Sequence, residues 1–170
     1  EGKAALTIRD LFRNSLRMRP DRIIVGECRG SESLDMLQAM NTGHDGSMTT
    51  IHANSTHDVL MRLDSMILMS GVELPIRAIR EMIASAIDII VHTARLSDGS
   101  RKIIQITEVA GMKDEMHIDL KDIFAFKQSG VDSQGNVLGD YQATGYIPSF
   151  LEEIKIKGIP LSESIFSPPA

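Results

Sequence analysis

A short apolar run that ends in an acid limits this chain more than any other feature. Residues 22–27 read RIIVGE. Gly26 and Gly30 bracket a turn, and Ser31 stands before a segment, running to about Asn41, in which Leu34, Leu37 and Met40 share one helical face and Gly43 lies just past the end. A brief apolar run between turn residues suits a strand buried on both faces, which is how parallel strands sit in α/β proteins. The same order follows downstream. SMTTIHA is β-branched and strand-like, and HDVLMRLDSMILMSG places Val59, Leu60, Leu63 and Ile67 on one helical face with Gly71 as the stop. Upstream, TIRDLFRNSLRM has Ile8, Leu11, Phe12 and Ser15 at helical spacing, with Thr7 as N-cap, Asp10 in the first turn and Pro20 as terminator.

Pro75 opens another helix, with Ile76, Ile79, Ile83 and Ala86 on one side, and DIIVHTARL and RKIIQITEVAG read as two strands about a DGS turn. Strands separated by helices predict an α/β core with a mainly parallel sheet flanked by helices. Beyond it, HIDLKDIFAFKQSGVDSQGNVLGDYQATG reads as strands with turn signals, PSFLEEIKIKG as a short helix, and the end is rich in Ser and Pro. This places a boundary near Lys113, giving a core over residues 1–112 and a small β/α extension over 113–170.

Composition narrows the function classes. The chain has 170 residues, 42% of them hydrophobic and 24% charged, as expected for a globular chain with a real core. Its one cysteine, Cys28, forbids an internal disulfide and fits a reducing compartment. No apolar run approaches the ~20 residues of a membrane span, and the opening EGKAALTIRD is not signal-like; the sequence reads as cytosolic. The net charge of −5 is uneven. Arg9, Arg13, Arg17, Arg19, Arg22 and Arg29 crowd the first 29 residues, whereas residues 108–170 hold ten acids and five lysines. A basic segment on an acidic chain suits a local anionic partner.

Three groups of residues could do chemistry. Glu27 stands at the C-terminal end of an apolar strand, the edge where open α/β sheets bind ligands. A carboxylate there can hold Mg²⁺ through water or orient a water for attack on a phosphate; the bland alternative is a structural acid. His44 and His52 flank a run of small hydroxyl residues in GHDGSMTTIHANS. Eight residues of strand at ~3.3 Å each would hold them ~20–26 Å apart, too far to share one ion unless the DGS stretch bends. Arg9, Arg13 and Arg17 form one stripe on the first helix. Such a stripe is either a solvated face or a surface answered by anions, and arginine suits bidentate phosphate binding.

Taken together, LRMRPDRIIVGECRGSESLDMLQAMNTGHDGSMTTIHANS resembles the type II/type IV secretion ATPase superfamily, with the closest likeness in the branch that assembles Tad (Flp) pili. RPDRIIVGECRG is similar to that family's Walker B, and GHDGSMTTIHANS to its histidine box. The likeness runs from Thr7 to about Met112. It implies a RecA-like core, present here in part, in a homo-hexamer that hydrolyses ATP with Mg²⁺ and drives pilin assembly or protein export from the cytoplasmic side of the inner membrane, through a membrane platform protein. It implies a catalytic role for Glu27, which would also hold Mg²⁺ through water, and a phosphate-sensing role for His52. His44, Arg17, Arg19 and Arg29 fall among the nucleotide-binding positions.

One departure is large. A P-loop reads G-x-x-x-x-G-K-[ST], and this chain has none; Gly2-Lys3 is followed by Ala4. The resemblance therefore implies the C-terminal part of a longer motor, with little activity alone. Two other readings stand beside it. A non-catalytic interaction domain would follow from loss of the P-loop. A RecA-like motor on nucleic acid is opposed by the acidic balance and by 4% aromatic content, since strand-tracking grooves use basic and stacking residues; no nucleic-acid partner is expected.

Overall fold

The computed structural model describes residues 6–169, which fall into two compact units. The first comprises the chain up to Ile87 together with Gly111–Ile118, and the second Asp88–Ala110 with residue 119 onward.

The first unit is helical around a small parallel pair. Helix α1, Ile8–Leu16, starts at a full capping box: Thr7 Oγ1 accepts the Asp10 N–H at 3.1 Å and the Asp10 carboxylate accepts the Thr7 N–H at 3.0 Å. Strands β1, Ile24–Val25, and β2, Met48–Thr49, pair in parallel with Ile24 opposite Met48. The pairing runs past both strands, because the Met48 N–H reaches the Ile23 carbonyl and the Cys28 N–H reaches the Thr50 carbonyl, each at 3.0 Å.

Between the strands runs α2, Glu32–Met40, whose Leu34, Met36, Leu37 and Ala39 are buried. Helix α2 packs against α1, against α3 (Thr56–Leu68) and against α4 (Ile76–Ala86). The expected faces appear: Leu60, Leu63 and Ile67 on α3, and Ile79 and Ile83 on α4, are buried. Ser55 caps α3 by accepting the Asp58 N–H at 3.0 Å. Gly71, at φ +79°, takes the left-handed turn that ends the segment and that a β-carbon would strain.

The second unit corrects the mainly parallel sheet read from the sequence. Strands β3 (Ile89–Arg95), β4 (Arg101–Met112), β5 (Ile118–Val131) and β6 (Val137–Ala143) form one four-stranded sheet in chain order, and β3–β4 and β5–β6 pair antiparallel. The cause is connection length. Parallel neighbours need a crossover of about a dozen residues or more, and only residues 96–100 join β3 to β4. The turn at Lys113 is the β4–β5 connection and lies within Gly111–Ile118, which belongs to the first compact unit. A cluster of Ile123, Leu151 and Phe166 is buried against Ile106, Phe124, Tyr146 and Phe150, which fixes helix α5 (Leu151–Ile156) and the final 3₁₀ turn to the sheet. Among the described residues no helix is long and apolar enough to cross a membrane.

Asp98 fastens the β3–β4 turn. Its carboxylate accepts from the Ser100 N–H and hydroxyl at 2.8 and 2.6 Å and from the Val137 N–H, at the start of β6, at 2.9 Å. The Ser100 hydroxyl first, and then the Val137 and Ser100 N–H groups, lower its carboxyl to about 2. A depressed acid stabilises the fold above its unfolded value and loses that contribution as pH falls through the folded one. Amide exchange at Ser100 and Val137, corrected for intrinsic rates, is therefore expected to accelerate as pH falls from about 4 towards 2. Unchanged protection at pH 2 would contradict this.

Candidate functional site

The two short parallel strands end side by side, which brings Glu27 and His52 together. The His52 Nε2 lies 3.1 Å from the Glu27 Oε1, while the Arg29 guanidinium takes the other oxygen through Nε at 2.7 Å and a terminal nitrogen at 2.5 Å. A carboxylate only accepts, so the Nε2 of His52 carries the proton and its Nδ1 is left to face another group. The Arg29 hydrogen bond holds the Glu27 carboxyl below its ordinary value against partial desolvation, and the charges of Arg29, His52 and Arg62 add to it. The same bond raises the Arg29 guanidinium further above its already high value. The acid is only 19% exposed, whereas Arg29 and His52 are 71% and 81% exposed. A shielded carboxylate thus lies beneath a guanidinium and an imidazole that are open to a ligand.

The backbone on either side of Glu27 is fixed. Cys28 is fully buried, its N–H bonded to Thr50 and its Sγ 3.4 Å from the Met36 sulfur. Burial pushes its thiol up, which suits the small core side chain expected there and not a reactive thiolate. Thr50 Oγ1 donates to the Gly26 carbonyl at 2.6 Å, clamping the turn before the acid to β2.

The other expected positions lie elsewhere. The His44 Nδ1 is 3.3 Å from the Ala39 carbonyl near the end of α2. Gly43 and Gly46 flank it at φ +92° and +76°, so the loop bends where only glycine is unstrained. Arg17 is the C-cap of α1, and Arg19 sits at φ +52°, a left-handed conformation unusual for a residue with a β-carbon and more so before proline. Both are exposed. Two of the three stripe arginines are answered within the chain: the buried Asp35 of α2 meets the Arg9 Nε at 2.5 Å and the Arg13 Nε at 3.3 Å.

Sequence reasoning missed two residues. Arg62, ten positions after His52 on α3, is near enough to act on Glu27, but an exposed helix arginine carries no sign of that in the sequence. Glu32, read only as part of a helix start, folds back onto the turn that bears Arg29.

A bound Mg²⁺ would meet one acid here, not a cage. Among the described residues no three His, Cys, Asp or Glu side chains gather into a metal-binding group. Glu27 fits an ion that keeps most of its waters and takes its other ligands from phosphates, and it would serve through water while Arg29 and His52 remain on its oxygens.

The family model for "Type II/IV secretion system protein" matches residues 1–137. A Mycobacterium tuberculosis (H37Rv) protein named for conjugal transfer is 42% identical over 106 residues, 62% of this chain and 30% of that protein. The conjugal transfer protein TrbB of Rhizobium radiobacter is 38% identical over 104 residues, 61% of this chain and 31% of its own. The crystal structure of the VirB11 ATPase from the Brucella suis type IV secretion system, in complex with sulphate, superposes with a TM-score of 0.57 at 36% identity, covering 61% of this chain and 32% of that one. The chain spans about a third of the length of these relatives. With the family model covering more than three quarters of the sequence, the chain belongs to the type II/IV secretion system protein family.

Proposed function

We propose that this chain supplies the acid and the histidine of the nucleotide site of a secretion ATPase. The observation that carries the reading is Glu27 at the end of β1 with His52 at 3.1 Å and Arg29 on its second oxygen. Glu27 is the residue that orients and deprotonates the attacking water. Arg29, Arg62 and His52 offer positive charge to phosphate oxygens, with Arg17, Arg19 and His44 in supporting positions on the same unit. Bound Mg²⁺ would supply charge neutralisation at the phosphates. The phosphate cradle itself, a P-loop, is not in these 170 residues, so hydrolysis belongs to a longer protein carrying this chain. We further propose that this protein is a homo-hexamer on the cytoplasmic side of the inner membrane, where it meets a platform protein and couples ATP turnover to pilin assembly or protein export. The likeness of residues 16–55 to the Tad branch supports the pilus arm of that choice.

The test is hydrolysis of MgATP by the longer protein, together with His52→Ala. The imidazole is exposed beside the acid and free to turn towards a terminal phosphate. Its loss is expected to erase most of the preference for a non-hydrolysable ATP analogue over ADP, a change of roughly tenfold for one charge-assisted contact. Paired binding titrations measure it. An unchanged ratio would leave His52 as a partner of Glu27 only.

A further inference from the structure

The site contains a buried carboxylate to which the proposed chemistry gives no part. Glu32 is the first residue of α2 and is 9% exposed. Its Oε1 accepts the Arg29 N–H at 2.6 Å and the Gly30 N–H at 3.0 Å. Ser33, fully buried, grips the same turn from the other side: its hydroxyl donates to the Gly30 carbonyl at 2.7 Å and its N–H reaches it at 3.1 Å. Ser31, expected to cap the helix, makes no side-chain cap bond and is itself in a helical conformation. The N–H groups before α2, which could otherwise cradle a phosphate, are thus filled by the chain's own acid. Burial pushes the Glu32 carboxyl up, but the N–H groups of Arg29, of Glu32 itself and of Gly30 outweigh it and leave it below its ordinary value. It is held ionised, as a charge-assisted acceptor.

The consequence lies one residue away. The guanidinium of Arg29 reaches two residues back to Glu27. It is 71% exposed, so apart from Glu27 itself little beyond its own backbone sets where it points. We propose that Glu32 is a positioning residue for this site: by fixing the Arg29–Gly30 backbone it keeps the Arg29 guanidinium on Glu27. Glu32 touches neither nucleotide nor water in this scheme and acts only through Arg29. Its catalytic consequence rests on the function proposed above; its structural one does not.

Two variants separate the roles. In Glu32→Gln the side-chain carbonyl can accept the same two N–H groups without charge, whereas Glu32→Ala has no acceptor. In the 170-residue chain, Glu32→Ala is expected to raise amide exchange at Arg29 and Gly30 by roughly tenfold, the scale of one lost charge-assisted bond. It should also abolish the slowly exchanging NMR signal of the Arg29 Nε–H, while Glu32→Gln retains both features. In the longer protein, Glu32→Ala should lower kcat about 10–100-fold with KM for MgATP unchanged, the range typical of residues that support a site from behind, and Glu32→Gln should recover most of it.

If the amides loosen while the Arg29 Nε–H signal stays, Glu32 is a fold residue only and the proposal is overturned. Protection unchanged in Glu32→Ala overturns it as well. Should Glu32→Ala not fold, the wild-type chain and Glu32→Gln still decide the matter, because an unprotected Arg29 Nε–H in either one refutes the arrangement. A longer protein with no ATPase activity would sink the function proposed above and leave the exchange result to judge Glu32.

Discussion

Glu27→Gln in the longer protein is expected to lower steady-state phosphate release by about 10²–10⁴-fold, the usual contribution of a general base, while affinity for an ATP analogue changes by less than about threefold. The substitution keeps the size of the side chain and one oxygen at the end of β1. It removes the charge that can take a proton from water, and the single remaining oxygen can accept from Arg29 or from His52 but not from both. The loss of a negative charge next to the phosphates also removes a repulsion, so ground-state binding is not expected to weaken. Losing kcat without losing binding is the mark of a group that acts only in the transition state. Single-turnover phosphate release and a binding titration separate the two quantities. Turnover within about threefold of wild type would remove Glu27 from the base role.

Much of the first unit was legible in the sequence because its signals are local. Thr7 and Asp10 announce a capping box within four residues, and Ile79 and Ile83 announce a buried stripe one helical turn apart. Glu27 and His52 could each be placed at a strand end, because each follows an apolar or β-branched run, but their meeting was not read, since it depends on the pairing of two strands 24 residues apart. The sheet of the second unit was misread because alternation of strand and helix was extended past Ala86, although no helix stands between the strands from β3 to β6. The five residues between Arg95 and Arg101 already forbade a parallel crossover. The arginine stripe was open for a different reason. Its partner, Asp35, lies 22 residues from Arg13 on another helix, and no local pattern indicates which acid will be buried opposite. Glu32 escaped notice because an acid in a first helical turn is ordinary, and its backward reach to Arg29 becomes visible only once the turn has a shape.

The largest effect on stability is expected from Glu108→Ala, far along the chain from Glu27. Glu108 lies on β4 and is 3% exposed. Its two carboxylate oxygens accept the Ser149 N–H at 3.1 Å each, one of them also takes the Ser149 hydroxyl, and the Tyr146 phenol bonds to the same group. The carboxylate thus ties the segment before α5 to the sheet, beside the cluster of Ile123, Leu151 and Phe166. Alanine leaves the Ser149 N–H and the Tyr146 hydroxyl without this acceptor at a partly buried position, at a cost on the order of 1–3 kcal/mol, or roughly 3–10 °C in melting temperature for a chain of this size. Ser149→Ala, which keeps the N–H, should cost much less. Tyr146 supplies an independent readout. Burial first, then the bond to Glu108 and its charge, raise the phenol from 10.0 to about 12. A raised group stabilises the fold fully below its unfolded value and loses that contribution as pH climbs through the folded one. Wild type should therefore lose stability between about pH 10 and 12, and in Glu108→Ala the tyrosinate absorbance should appear at lower pH. A variant that melts with wild type and leaves the tyrosine titration unmoved would show that water takes the place of the carboxylate, and that the C-terminal segment is held by its apolar contacts alone.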